Sequence, residues 1–327
     1  MIDLIGYDKE VNSLLENYNN KNLHNSIIFY GPKGIGKRYF VNKLISRIIK
    51  ITQSEKNFHH HHNLFLNNTH PNIKIIEKET DKKTLKLKSS ISIDQVRNLK
   101  SFMNSTSSIN NFSKFILIDS ADDLNTSSSN SLLKSLEEPK KNNFIFLISH
   151  QLSSLLPTLR SRCLKIKLNN HIYEDFKKIL INNIENINEE EIKLFYDLSL
   201  GSPGAAISMY NLNIIEYFDL TIKCMSSNSI NEDSINLSNE LSKFENDKFL
   251  SYLSVYKSLL ILLKKIKFNQ FDSKQYMSNK FKLLENISSR FTMKNIIDRY
   301  DFLSNNESDL FVYNLDKKTF MLRLLTH

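Results

Sequence analysis

No apolar run in this chain approaches the length that spans a bilayer. The longest candidate, Leu259 to Leu263, covers five residues and is followed at once by Lys264 and Lys265. A membrane is therefore not expected among its partners. Cysteine is scarce as well: Cys163 and Cys224 are the only two, too few for a disulfide framework or a cysteine metal cluster, and in a reducing cytosol both would stay thiols. A charged and then apolar leader is also missing, because Asp3, Asp8 and Glu10 interrupt the N-terminus, so a cytoplasmic location is expected. Glycine is rare, with six in 327 residues.

What is present fits a soluble globular protein, with 40% hydrophobic and 24% charged residues. The length is too great for one average core and predicts roughly two or three domains. A net charge of +9 favours a polyanionic partner, although a chain this rich in Asn, Lys and Ile could owe its lysines to a biased genome.

From residue 1 to about 167, short apolar runs alternate with longer helical stretches, which predicts a parallel sheet flanked by helices. Expected strands are Ser26 to Tyr30, Ile73 to Glu77, Phe115 to Asp119, Phe144 to Ser149 and Leu164 to Lys167. Expected helices between them include Lys37 to Lys50, Ile93 to Ser105 and Thr126 to Leu136. Beyond Asn169 strand signals fade and apolar residues recur at helical spacing, as in Phe176, Ile179, Leu180 and Ile184. Gly201-Ser-Pro-Gly204 interrupts this region, with Gly201 placed to close one helix and Pro203 to open the next. Leu253, Tyr256, Leu260, Leu263 and Ile266 form a single stripe, read as a buried helix face. The expected organisation is α/β plus all-α, in three domains: 1–167, 168–211 and 212–327.

Between the first expected strand and helix stands FYGPKGIGKRYF. Gly31, Gly34, Gly36 and Lys37 lie in the first seven positions of the phosphate-loop pattern G-x-x-x-x-G-K-[ST]. Its glycines let backbone N–H groups curl round phosphate, and its lysine reaches the outer oxygens. The eighth position should carry a hydroxyl for magnesium; it is Arg38, whose guanidinium has donors only. Asp119 ends the acidic strand where a metal-orienting carboxylate belongs, yet the next residue is Ser120, a poor base at neutral pH. Asp122 and Asp123 are expected to face solvent or to begin the next helix. The run Phe58-His59-His60-His61-His62, with His70 nearby, is expected to be a solvated loop rather than a metal site, since consecutive imidazoles on an extended backbone cannot converge on one ion.

Asn130-Ser-Leu-Leu-Lys-Ser-Leu-Glu-Glu-Pro139 after the acidic strand, and Leu159-Arg-Ser-Arg-Cys163 after the next, resemble the AAA+ clamp-loader family, where L-L-K-x-L-E-E-P and S-R-C occupy these places. Gly6, His70-Pro71 and Ile93-Asp94-Gln95-Val96-Arg97 add smaller matches, and the likeness runs to about Asn211. The resemblance implies a P-loop AAA+ parallel-sheet domain, a helical lid and a C-terminal helical collar that joins a ring. Motor subunits of that family keep the loop hydroxyl, a glutamate after the acidic strand and an arginine where Gly204 stands here. The three departures imply the companion subunit that does not hydrolyse ATP and is not an enzyme by itself, but an accessory part of a DNA polymerase holoenzyme at the replisome. Within Ser161, Arg162 and Cys163, the resemblance makes Arg162 an arginine finger acting in trans on a neighbouring ATP site, with Arg160 structural.

Expected partners are gamma/tau-type ATPase subunits, the clamp-opening delta subunit and, through the complex, the sliding clamp and primed DNA. No cofactor is required, though the degenerate loop could hold nucleotide or phosphate without turnover. The zinc module of many relatives is missing, since no cysteine lies between the loop and Asp119. Arg38, Lys43 and the basic residues of the helix from Ile93 to Lys100 are candidates for tracking a DNA backbone. The rival readings are a working gamma/tau-type motor ATPase that tolerates Arg38, and a nucleic-acid module outside any loader.

Overall fold

The computed structural model describes residues 5–81, 87–105, 109, 112–226, 231–268 and 279–326. The chain forms two compact units, 1–170 and 171–327.

The first unit is built on five parallel strands in the order β2-β3-β4-β1-β5: β1 Ser26–Tyr30, β2 Ile73–Ile76, β3 Lys114–Asp119, β4 Asn143–Ser149 and β5 Leu164–Lys167. Strands that are apolar at nearly every position must be covered on both faces, and alternation along each strand divides their side chains between two cores. Ile27, Phe29, Phe115, Leu117, Phe144, Phe146 and Ile148 join one core with residues of α1 (Asp8–Asn19) and α2 (Lys37–Thr52). Ile28, Ile116, Ile118, Ile145 and Leu147 join the other, with Val96 and Leu99 of α4 (Ile93–Asn104) and Leu132 of α5 (Thr126–Glu137). The same core takes Leu159 of the short α6 (Pro157–Arg160) and Cys163.

Local signals set the helix starts. Ser92 and Gln95 form a reciprocal capping box at α4, with Gln95 N donating to Ser92 Oγ at 3.3 Å and Ser92 N donating to Gln95 Oε1 at 3.0 Å. Asn125 caps α5 through the Ser128 N–H at 2.8 Å. Gly36, at φ 88°, precedes α2, a left-handed geometry that glycine adopts without penalty.

The strand boundaries agree with expectation to within a residue. The histidine run does not: His59 to His62 lie inside a helix, α3 (Glu55–Leu66), not in a solvated loop. The helix forms because Phe58, His62 and Phe65 share one face; His62 and Phe65 are buried, and the Phe58 and His62 rings stack at 5.3 Å.

The second unit is all helical among the described residues. It comprises α7 (Tyr173–Asn183), α8 (Glu189–Leu198), α9 (Pro203–Asn211), α10 (Ile214–Met225), α11 (Glu232–Ser242), α12 (Asn246–Lys267), α13 (Asn279–Arg290), α14 (Met293–Val312) and α15 (Lys317–Thr326). One apolar core runs through it and includes Ala206 and Met209 on one side of residue 211 and Ile214 and Phe218 on the other. Leu253, Tyr256, Leu260 and Leu263 of α12 are buried, as their stripe predicts, with Ile266 packed beside them. Gly201 turns the chain at φ 74° after α8, and Pro203 opens α9. Gly204 is the second residue of that helix.

Candidate functional site

Register brings the site together. Tyr30 pairs with Ser149 and Asp119 with Ile148, so the segments leaving β1, β3 and β4 emerge at one level on the carboxyl edge of the sheet. There the loop from Gly31 to Gly36 turns back into α2. A Cβ at Gly31 would stand 2.2 Å from the Leu168 carbonyl oxygen, so only glycine fits that approach.

Lys37 is 3% exposed, and its ammonium donates to the Gly31 and Pro32 carbonyl oxygens at 2.7 and 2.6 Å. Burial pulls its pKa down to about 8, with Asp122 and Asp119 acting in the opposite sense. Arg38 Nη1 donates to Asp119 Oδ2 at 3.0 Å, with Glu77 Oε2 3.7 Å from the same nitrogen. Two of the residues that should collaborate on a metal are thus ion-paired to each other. The donor set does not fit magnesium, which needs oxygen ligands at about 2.1 Å in a near-octahedral shell. The position that should add a hydroxyl oxygen adds a cation instead.

The neighbouring acidic residues are structural. Of the two expectations for Asp122 and Asp123, beginning the next helix holds, since both lie in the 3-10 turn Ala121–Asp123. Asp122 does not simply face solvent, but accepts from Ser149 Oγ at 3.1 Å, His150 N at 2.7 Å, Gln151 N at 3.1 Å and Ser154 Oγ at 2.9 Å. Two backbone N–H groups and two hydroxyls need acceptors there, and the carboxylate supplies them. Asp123 lies in the single 3-10 turn after β3 and accepts from Ser120 Oγ at 2.7 Å, with Lys78 Nζ 3.0 Å away. Burial opposes its ionisation, but Ser120 and Lys78 outweigh that and hold its pKa below the usual carboxylate value. The hydroxyl of Ser120 is engaged as a cap, not free to activate water.

His150, at the end of β4, escaped the sequence reading. Burial, followed by the charge of Lys37, holds its pKa below the ordinary histidine value, and its Nδ1 is buried without a hydrogen-bond partner among the described residues. Its only sequence signal is a polar residue directly after an apolar strand.

Arg162 lies just beyond α6. Its Nη2 stands 2.6 Å from Glu137 Oε1 and its Nη1 donates to the Thr158 carbonyl at 2.8 Å, so the two motifs Leu-Glu-Glu-Pro and Ser-Arg-Cys are joined through their charged residues. The Arg162 side chain is 34% exposed. Ser161 Oγ donates back to the Thr158 carbonyl at 3.0 Å. Cys163 is a core thiol whose pKa burial pushes up to about 12, which removes it as a nucleophile. Arg160 has its Nε buried with no partner among the described residues. Of the basic residues considered for DNA, Lys43 pairs with Asp8 at 3.1 Å and Arg97 with Asp94 at 3.5 Å.

Among the described residues no three His, Cys, Asp or Glu side chains converge as metal ligands. His70 is 4% exposed, its ring 5.3 Å from that of His61. Burial, then the nearby His61 and His60, lowers its pKa to about 4. The unfolded chain binds a proton there near 6.5 and the folded chain near 4, so stability is complete above pH 6.5 and lost as pH falls through that window. Denaturant titrations should give a loss of about 3 kcal/mol between those pH values, with a flatter slope for His70→Gln. An equal slope in that variant would exclude His70 as the cause.

A parallel sheet in this strand order, with a glycine-rich loop after β1 and an aspartate closing β3, defines an AAA+ P-loop protein. Residues 6–172, just over half of the 327, match the family model described as DNA polymerase III, delta subunit, and the chain belongs to that family. It is 33% identical to the DNA polymerase III subunit delta' of Pseudomonas aeruginosa over 42% of this chain and 41% of the relative. It is 28% identical to the DNA polymerase III subunit gamma of Buchnera aphidicola subsp. Schizaphis graminum over 67% of this chain and 59% of the relative. The subunit delta' of Haemophilus influenzae is 27% identical over 59% of this chain and 57% of the relative. The chain thus spans about two fifths to three fifths of the length of these relatives. No helix among the described residues is long and apolar enough to cross a membrane.

Proposed function

We propose that this chain is the delta-prime type of clamp-loader subunit: it does not hydrolyse nucleotide itself, and it helps a ring of related subunits load the sliding clamp onto primed DNA. The carrying observation is the 3.0 Å pair between Arg38 and Asp119, which sets a guanidinium where a motor subunit of this fold binds its metal. The engagement of Ser120 by Asp123 supports the same reading, because the hydroxyl directly after β3 is itself hydrogen-bonded and a poor base for activating water.

In this reading residues 168–211 are a lid and 212–327 a collar that joins gamma/tau-type ATPase subunits and the clamp-opening delta subunit at the replisome. Arg162 then serves a neighbour's ATP site. Its guanidinium is held near the surface by Glu137 and the Thr158 carbonyl, and an exposed ion pair of that kind contributes only about 0–1 kcal/mol. Stabilising charge on a transferred phosphoryl group contributes roughly 10³–10⁵ in rate, so in the transition state the gain at phosphate exceeds what the Glu137 pair contributes.

The test is phosphate release from ATP by the purified chain with magnesium. The expected rate is indistinguishable from buffer and unchanged by Lys37→Ala. Hydrolysis that Lys37→Ala abolishes would replace this reading with that of a motor subunit.

A further inference from the structure

The loop has lost its means of holding magnesium without losing its means of holding phosphate. Gly34 and Gly36 keep left-handed backbone, φ 85° and 88°, as a loop that curls its N–H groups inward requires. Lys37 is in place at the start of the 16-residue α2, although its ammonium rests on two loop carbonyls. Arg38 adds a second fixed cation beside it. Nη1 is taken by Asp119, with Glu77 close by, while Nε and Nη2 donate to no described residue. The side chain is 26% exposed, so part of it can be reached by an incoming anion.

A divalent cation fares worse. An ion bound to Asp119 Oδ2 would share that oxygen with a guanidinium nitrogen 3.0 Å away, and the two positive charges would repel at close range. Arginine can do electrostatically what such an ion would do for a phosphate chain: bonded to Asp119, it has further donors that can form charge-assisted hydrogen bonds to phosphate oxygens. It cannot withdraw electrons from a bridging oxygen as a Lewis acid does.

We propose that Arg38 is a built-in replacement for the divalent cation, so that the loop takes a phosphate chain, from a nucleotide or from inorganic polyphosphate, in the absence of magnesium. The inference rests on the non-hydrolysing reading of this site and names its ligand. A phosphate chain held by Lys37 and Arg38 alone is bound without being activated.

Isothermal titration calorimetry of the full chain at pH 7 tests this with ATP, ADP and inorganic triphosphate, each in excess EDTA and in excess magnesium chloride. The expected result is binding in EDTA that magnesium leaves unchanged or weakens, since the free chain carries more charge for the two cations to meet. Arg38→Thr should bind about tenfold or more weakly in EDTA, the effect of one lost charge-assisted hydrogen bond, and should recover on adding magnesium. Equal affinity for triphosphate and ATP would identify the phosphate chain alone as the ligand; binding of the nucleotides only would add recognition of the base. Either supports the proposal.

Binding by the wild type that rises about tenfold with magnesium, or no heat with any ligand in either buffer, overturns it. Both comparisons are made on the wild type and do not depend on how the variant folds. ATP hydrolysis by the isolated chain would instead overturn the non-hydrolysing reading itself.

Discussion

Replacing Arg162 by alanine is expected to slow ATP turnover roughly 10³-fold at the neighbouring site of a reconstituted loader, without impairing assembly of the complex. The size of the effect comes from location. If Arg162 acts in trans as proposed, its guanidinium enters a water-poor subunit junction and meets charge that exists only in the transition state, whereas in the free chain it faces Glu137 and solvent. For that reason the same substitution should shift the stability of the isolated chain by less than about 1 kcal/mol. Glu137→Gln removes the resting partner and should leave turnover near the wild-type rate. The measurement is DNA-stimulated phosphate release by a complex whose assembly is checked by size-exclusion chromatography. Undiminished turnover with Arg162→Ala in a fully assembled complex would remove this residue from the chemistry.

The second large effect concerns the sheet that holds the site. Phe115 is fully buried, its ring stacked on Phe144 at 5.4 Å and packed against Phe146 and Phe112, both at 5.7 Å. Tyr18 closes the group at 6.1 Å and anchors its hydroxyl to Ser113 Oγ at 2.9 Å. Phe115→Ala removes a ring that its neighbours on β4, on α1 and in the segment before β3 cannot follow inward, so the transition reporting the sheet should lose about 3–5 kcal/mol in urea. Phe115→Leu keeps most of the volume and should lose less than half as much. A loss below about 1 kcal/mol for the alanine variant would mean that this aromatic group is not the packed centre of the unit.

The sheet was legible because parallel strands buried on both faces leave long apolar runs, and the alternation of Ile28 with Ile27 and Phe29 assigns side chains to the two cores without further information. The phosphate loop was legible because glycines, lysine and the following helix are contiguous. The histidine helix was not: Phe58, His62 and Phe65 have helical spacing, but His62 does not count as apolar until its ring is seen stacked on Phe58. Contacts between distant residues were hidden for a different reason. Arg38 and Asp119 are 81 positions apart, and nothing local in either segment says that the residue missing from one motif has become the partner of the other. The partners of Asp122 were hidden on the same ground, since its hydrogen-bond donors come from residues 149–154, about thirty positions later. The Glu137–Arg162 pair was hidden too, although each residue stood in a motif already singled out.

Asp122 has one more consequence. It sits three residues beyond Asp119 and grips the segment that leads, through Leu155 and Pro157, to Arg162. That grip moors residues 149–154, where the connecting segment begins, to the end of β3, so the path toward the arginine starts from a fixed point on the sheet.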